Sequence, residues 1–170
     1  MSVKFDVKMT SKAMYDFMLY TTMTSLSGIL GIIAGGLLLV LGIKQITMGE
    51  IATAATYLMF ASIFLVITPV NTRIRAGEQV KRVPMFQKPI TYELNEYGVT
   101  VSQDDQSAES SWEDFRKVIS TNKSIIMFIT KKRAIIFPKE SLGEQYSAVV
   151  KVISTHMPAN KVKIRHVSAA

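Results

Sequence analysis

The 170-residue chain is 48% hydrophobic and carries 20 Lys and Arg against 13 Asp and Glu, a formal charge of +7. It has no cysteine, which excludes disulfides and thiolate metal sites. The basic balance does not require a nucleic-acid partner, and none is expected, because many basic residues flank long apolar runs, where they orient membrane spans and meet anionic headgroups.

Residues 1–22 open with Val3, Phe5, Val7 and Met9 alternating with Lys4, Asp6 and Lys8, a period of two that predicts a strand. The next stretch, SKAMYDFMLY, places Met14, Phe17 and Met18 at helical spacing, with Tyr15 and Tyr20 suited to the headgroup region. It reads as a juxtamembrane helix or, equally, as an extension of the apolar helix that follows.

Residues 23–72 contain two runs long enough to cross a hydrocarbon core, about 24–43 and about 51–70. Nothing charged stands between Asp16 and Lys44, and no polar face interrupts SLSGILGIIAGGLLLVLG, so a buried core helix is a poor reading. A secretory signal is excluded by position, since a strand and a helical segment come first. The linker KQITMGE is too short for anything but two antiparallel helices, a transmembrane hairpin. Lys4, Lys8 and Lys12 precede it and Arg73, Arg75, Lys81, Arg82 and Lys88 follow it, while only Lys44 sits in the turn. That asymmetry predicts a multi-pass protein of the bacterial cytoplasmic membrane with both termini cytoplasmic. Arg73, Arg75, Lys81 and Arg82 are accordingly read as topology and headgroup residues. The spans hold no ionisable residue at depth, which argues against an independent transporter. Ser27, Gly31 and Gly35, one small residue every fourth position, predict a helix-packing face for Ala52, Ala55, Ala61 and Ser62 of the second span or for a second copy.

Residues 73–170 read as a cytoplasmic, β-rich domain. Ile90, Tyr92 and Leu94 alternate with polar residues, Asn95 to Gly98 supplies a turn, and Val99 and Val101 resume the period. A third strand ends at Trp112, and KVIST, SIIMFIT and RAIIF supply more. The run from Ile125 to Ile129 is apolar on both faces, so each face needs a cover. Ser141 and Glu144 match a capping box, and Leu142, Tyr146, Val149, Val150, Ile153 and Met157 share one helical face, predicting a terminal helix over about 141–157. The expected class is an α+β membrane protein: the helical hairpin, then a small, bent antiparallel β domain capped by that helix, pleckstrin-homology-like by analogy.

The chain resembles the YcxB-like proteins of bacteria through FDVKMTSKAMYDFMLY before two adjacent spans, then ITYELNEYGVTVS, SSWEDFRKVIST and AIIFPKESL. The resemblance implies a two-span membrane protein with a C-terminal YcxB-like domain, and it carries over no catalytic or binding residue. Residue chemistry adds none. His156 and His166 have no carboxylate at ligand spacing and read as surface residues. Asp104 and Asp105 read as turn formers, and Glu113 and Asp114 as solvated strand-end acids. No metal or cofactor is expected. The single tryptophan, Trp112, reads either as core under the terminal helix or as an exposed anchor for a partner. The expected function is non-enzymatic: a membrane-anchored protein that touches membrane lipids, associates through its spans, and uses its cytoplasmic domain to bind a protein partner or lipid headgroups as a regulator, scaffold or assembly factor. An immunity-type protein against a membrane-active toxin or bacteriocin is the alternative, and a membrane-bound enzyme ranks third.

Overall fold

Alternation at the N-terminus forms strand β1 (Val3–Val7), with Val3, Phe5 and Val7 buried and the residues between them exposed. The computed structural model describes residues 2–131 and 133–164, so His166 lies outside the described residues. The chain divides into two compact units, Met1–Phe17 with Gly77–Ala170, and Met18–Ala76. The β domain therefore does not begin near residue 73, as the sequence predicts. It includes the N-terminal strand, and the hairpin is an insertion within it.

Helix α1 (Ser11–Met23) starts where the Thr10 hydroxyl accepts the Ala13 N–H at 3.2 Å. It is separate from the apolar helix α2 (Leu26–Thr47): Ser25 breaks the run in an extended conformation, and its Oγ accepts the Gly28 N–H at 3.0 Å. At 22 residues, α2 is about 33 Å long, enough for a hydrocarbon core of about 30 Å. Gly49, at φ +79°, turns the chain into α3 (Ile51–Ser62). A π-helical turn (Ile63–Ile67) and α4 (Thr68–Arg82) continue it, giving one helical run of 32 residues. Pro69 explains the wide turn. It has no N–H for the Leu65 carbonyl, and the Thr68 hydroxyl donates instead to Ile63 O at 3.1 Å. The run extends past the predicted end at Val70 because Thr72, Ala76 and Val80, four apart, form a buried stripe through an otherwise polar sequence.

The domain has two four-stranded sheets rather than the one bent antiparallel sheet expected. The first pairs β1, β2 (Ile90–Leu94), β3 (Gly98–Gln103) and β4 (Gln106–Ser111) in that order, all antiparallel, with Phe5 opposite Tyr92 and Tyr92 opposite Val101. The second comprises β5 (Lys117–Ser120), β6 (Ser124–Phe128), β7 (Ala134–Pro138) and β8 (Val162–Lys163), ordered β7-β6-β5-β8, with β8 parallel to β5. A short 3-10 turn, Trp112–Asp114, separates the sheets. Ser111 and Asp114 cap it reciprocally.

The terminal helix is also broken. A single turn, α5 (Lys139–Leu142), ends at Gly143, whose φ of +48° favours glycine, and α6 (Tyr146–His156) starts afresh. The expected Ser141–Glu144 capping box does not form, since Ser141 lies inside the first turn and the α6 N-cap, Gln145, makes no side-chain cap bond. The apolar face is as expected: Leu142, Val149, Val150, Ile153 and Met157 are buried in a core with Val7, Ile90, Leu94, Phe115, Val118, Ile125, Met127 and Phe137. Phe137 meets both Phe5 and Tyr92 edge-on at 5.1 Å between ring centres. All five β6 residues are buried. The face with Phe128 is covered by α1, where Phe17 lies 6.0 Å away ring to ring and Asp16 accepts a hydrogen bond from Thr121.

Burial pushes the Tyr92 hydroxyl from its ordinary 10.0 up to about 12. The folded state holds the phenol neutral, so its contribution is present below pH 10 and lost as pH rises from 10 through about 12. Tyr92→Phe should remove about 2–3 kcal/mol of the alkaline loss of stability, read by denaturant titration across that window. An unchanged alkaline slope would place Tyr92 in water.

Candidate functional site

The hairpin is the first place where predicted site residues meet. A Cβ at Gly31 would lie 3.3 Å from Phe64 Cδ1, and one at Gly35 would lie 2.9 Å from Leu65 Cγ and 3.1 Å from Phe64 Cβ. Gly42 makes the same kind of approach, with a Cβ 2.8 Å from Leu58 Cδ2. Gly35 and Gly42 are the buried residues of α2, and Ala54 and Ala61 those of α3. Both pairs are seven apart. The seam keeps the expected step of four from Gly31 to Gly35 and then continues by seven to Gly42. A step of four overshoots one turn by about 40°, so Ser27 drifts off the face. Ser27 is exposed, with its Oγ 3.2 Å from Ser25 Oγ, and Ala52 and Ala55 are exposed too. Gly36 faces open space.

This contrast yields a test of packing. Gly35→Leu or Gly42→Leu should destabilise the helix pair by about 1–3 kcal/mol, lowering disulfide crosslinking between cysteines introduced in α2 and α3, while Gly36→Leu should leave it unchanged. Equal effects at all three positions would contradict the seam.

The basic residues sit on helix rather than in a loop. Arg73, Arg75, Lys81 and Arg82 all lie exposed on α4. Arg82 Nη2 is 3.4 Å from Glu78 Oε2, an exposed i,i+4 pair that stabilises little.

Trp112 is 7% exposed and belongs to the core, which corrects the reading of it as an exposed anchor. Its indole N–H donates to Asn95 O at 3.0 Å, and its ring stacks on His156 at 5.3 Å and 12°. The reciprocal Ser111–Asp114 cap turns the chain there and carries Trp112 inward. His156 is half-buried rather than a surface residue, and its Nδ1–H donates to Val152 O at 2.9 Å. Replacing Trp112 with Ala should cost about 3–5 kcal/mol, and the parent protein should show blue-shifted emission, as expected for a buried indole. Emission at the water-exposed wavelength would contradict this placement.

The acids have structural positions. Asp104, at φ +50°, forms the β3–β4 turn with Asp105 and takes Lys88 Nζ at 2.7 Å, and Asp114 Oδ2 accepts the Ser111 N–H at 2.9 Å. Among the described residues, no group of three or more His, Asp or Glu is arranged to hold a metal ion.

The strands around Trp112 decide the family comparison. Residues 94–153 match the family model described as YcxB-like protein. The YcxB-like region begins at the end of β2, takes in β3 to β7 and runs into α6, leaving β1 and the four long helical segments outside. No curated protein and no solved structure matches the chain.

Proposed function

We propose that the chain is a non-enzymatic membrane anchor for a binding domain. In this reading α2 and the α3–α4 run cross the bacterial cytoplasmic membrane as a hairpin, with both termini cytoplasmic. The YcxB-like domain, pleckstrin-homology-like in its two sheets and closing helix, binds a protein partner or lipid headgroups as a regulator, scaffold or assembly factor. The observation that carries the topology is the pairing of β1 with β2. One strand precedes the hairpin and the other follows it, so a hairpin that spans must begin and end on one side. The outward residues support a lipid environment: Leu30, Ile33, Leu37, Val40, Met59 and Val66 are all more than half exposed. Only Lys44 marks the turn side, against basic clusters on the other.

A cysteine at Thr47 should react with a membrane-impermeant maleimide in intact cells, one at Tyr97 should react only after lysis, and a reporter active only in cytoplasm should work after Ala170. Labelling of Tyr97→Cys but not Thr47→Cys in intact cells would reverse the orientation and remove the cytoplasmic role.

A further inference from the structure

Between Pro89 and Phe115 the chain carries seven acidic residues and no Lys or Arg, namely Glu93, Glu96, Asp104, Asp105, Glu109, Glu113 and Asp114. The whole chain has 20 basic and 13 acidic residues, so this window has charge −7 and the remainder +14. The window folds as β2, β3 and β4, and β4 is the edge of its sheet, with no strand on its far side among the described residues.

Sheet edges invite pairing unless something blunts them. The other edges are blunted: β1 lies against α5 and α6, β7 is largely buried and ends in Pro138, and β8 is two residues long. β4 has none of these protections. It runs six residues in one-to-one register with β3, without bulge, proline or lysine, and five of the six are exposed. Gln103 and Gln106 flank the two-residue Asp104–Asp105 loop, so antiparallel alternation directs the backbone groups of Ser107, Glu109 and Ser111 away from β3. The Ser111 N–H follows this rule, since it reaches Asp114. Ser107 and Glu109 therefore present a free donor and acceptor row.

We propose that β4 accepts an added strand from a partner protein, an extended segment in which basic and apolar residues alternate. The proposal rests on reading the domain as a binding module and names the chemistry of its partner. Charge selects the occupant. Glu109 stands on the outer face opposite Thr100, with exposed Glu96, Tyr97 and Glu113 nearby, so an incoming residue on that face should be Lys or Arg. On the inner face Ala108 pairs with half-buried Val101, which packs against the core and suits an apolar neighbour. Edge-to-edge pairing of two copies through β4 would bring two −7 windows together, and anionic headgroups meet the same repulsion. Backbone pairing supplies affinity, and the alternation supplies specificity.

The test uses the full chain in nonionic detergent and the fluorescent peptide RVKIRVKI, with RKRKVIVI as a control of the same composition. RVKIRVKI should bind in the micromolar range, about fivefold or more above the control, and weaken with salt. Glu109→Lys and Ser107→Pro should each weaken it about tenfold with Trp112 emission unchanged, the proline removing only an outward N–H. Ser107→Thr, which keeps that N–H and has high strand propensity, should bind as the parent does. No preference for the alternating peptide, or equal binding by Glu109→Lys and Ser107→Pro, overturns the proposal. A peptide-free dimer that Ser107→Pro converts to monomer overturns it in favour of a second copy. Because the assay is in detergent, its result is independent of the labelling experiment on membrane orientation.

Discussion

Five residues of β1 pair with five of β2 across more than eighty intervening positions, and the sheet-bearing unit is built around that contact. Phe5 reaches Tyr92 and Phe137 only because the N-terminal strand returns to the sheet, and α1 reaches the far side of β6 because β1 precedes it. Both ends of the apolar hairpin are thereby tied to one domain. The seam between the two apolar helices is filled by glycine, alanine, Leu58, Phe64 and Leu65, so the backbones approach closely along it.

Elements with a clear period were legible from the sequence. Seven of the eight strands announce themselves by alternation or by short β-rich runs between turn residues, and both apolar helices by length and lack of charge. What escaped has a local cause in each case. β8 is only two residues, too short for a period to register. The Ser141–Glu144 spacing is correct for a cap, but Gly143 between them adopts a conformation that ends the turn. The glycine seam was half legible: Gly31 and Gly35 face the second helix, while Gly42 needed the seven-residue spacing with Gly35 to be noticed. Trp112 reads two ways in sequence, and the Ser111–Asp114 reciprocal cap beside it is visible there as S-x-x-D, a spacing that does not say which way the ring turns. The open edge of β4 is invisible in sequence, because it depends on which strand comes last in the sheet.

Charge is distributed by element. The basic residues collect on the flanks of the hairpin and on the second sheet's side of the sequence, and the acids collect on the first sheet. A protein with overall charge +7 therefore carries a strongly acidic stretch between strongly basic ones, and the net figure describes neither.

The π-helical turn at Ile63–Ile67 bears on how this chain tolerates changes in length. Such a turn holds one residue more than an α-helical turn, and each residue of helix rotates the next by about 100°. Because the wide turn spends that extra residue on the same circle, loss of a single residue there would restore an ordinary helix and leave Thr72 and Ala76 beyond it, like Ala54 and Ala61 before it, on nearly the same side. In the loops of the domain a one-residue deletion changes a turn. In the α-helical stretches of the run it would rotate everything beyond by about 100°, whereas in these five positions it would shorten the run by about 1.5 Å and keep the facing of the fifteen-residue helix that follows.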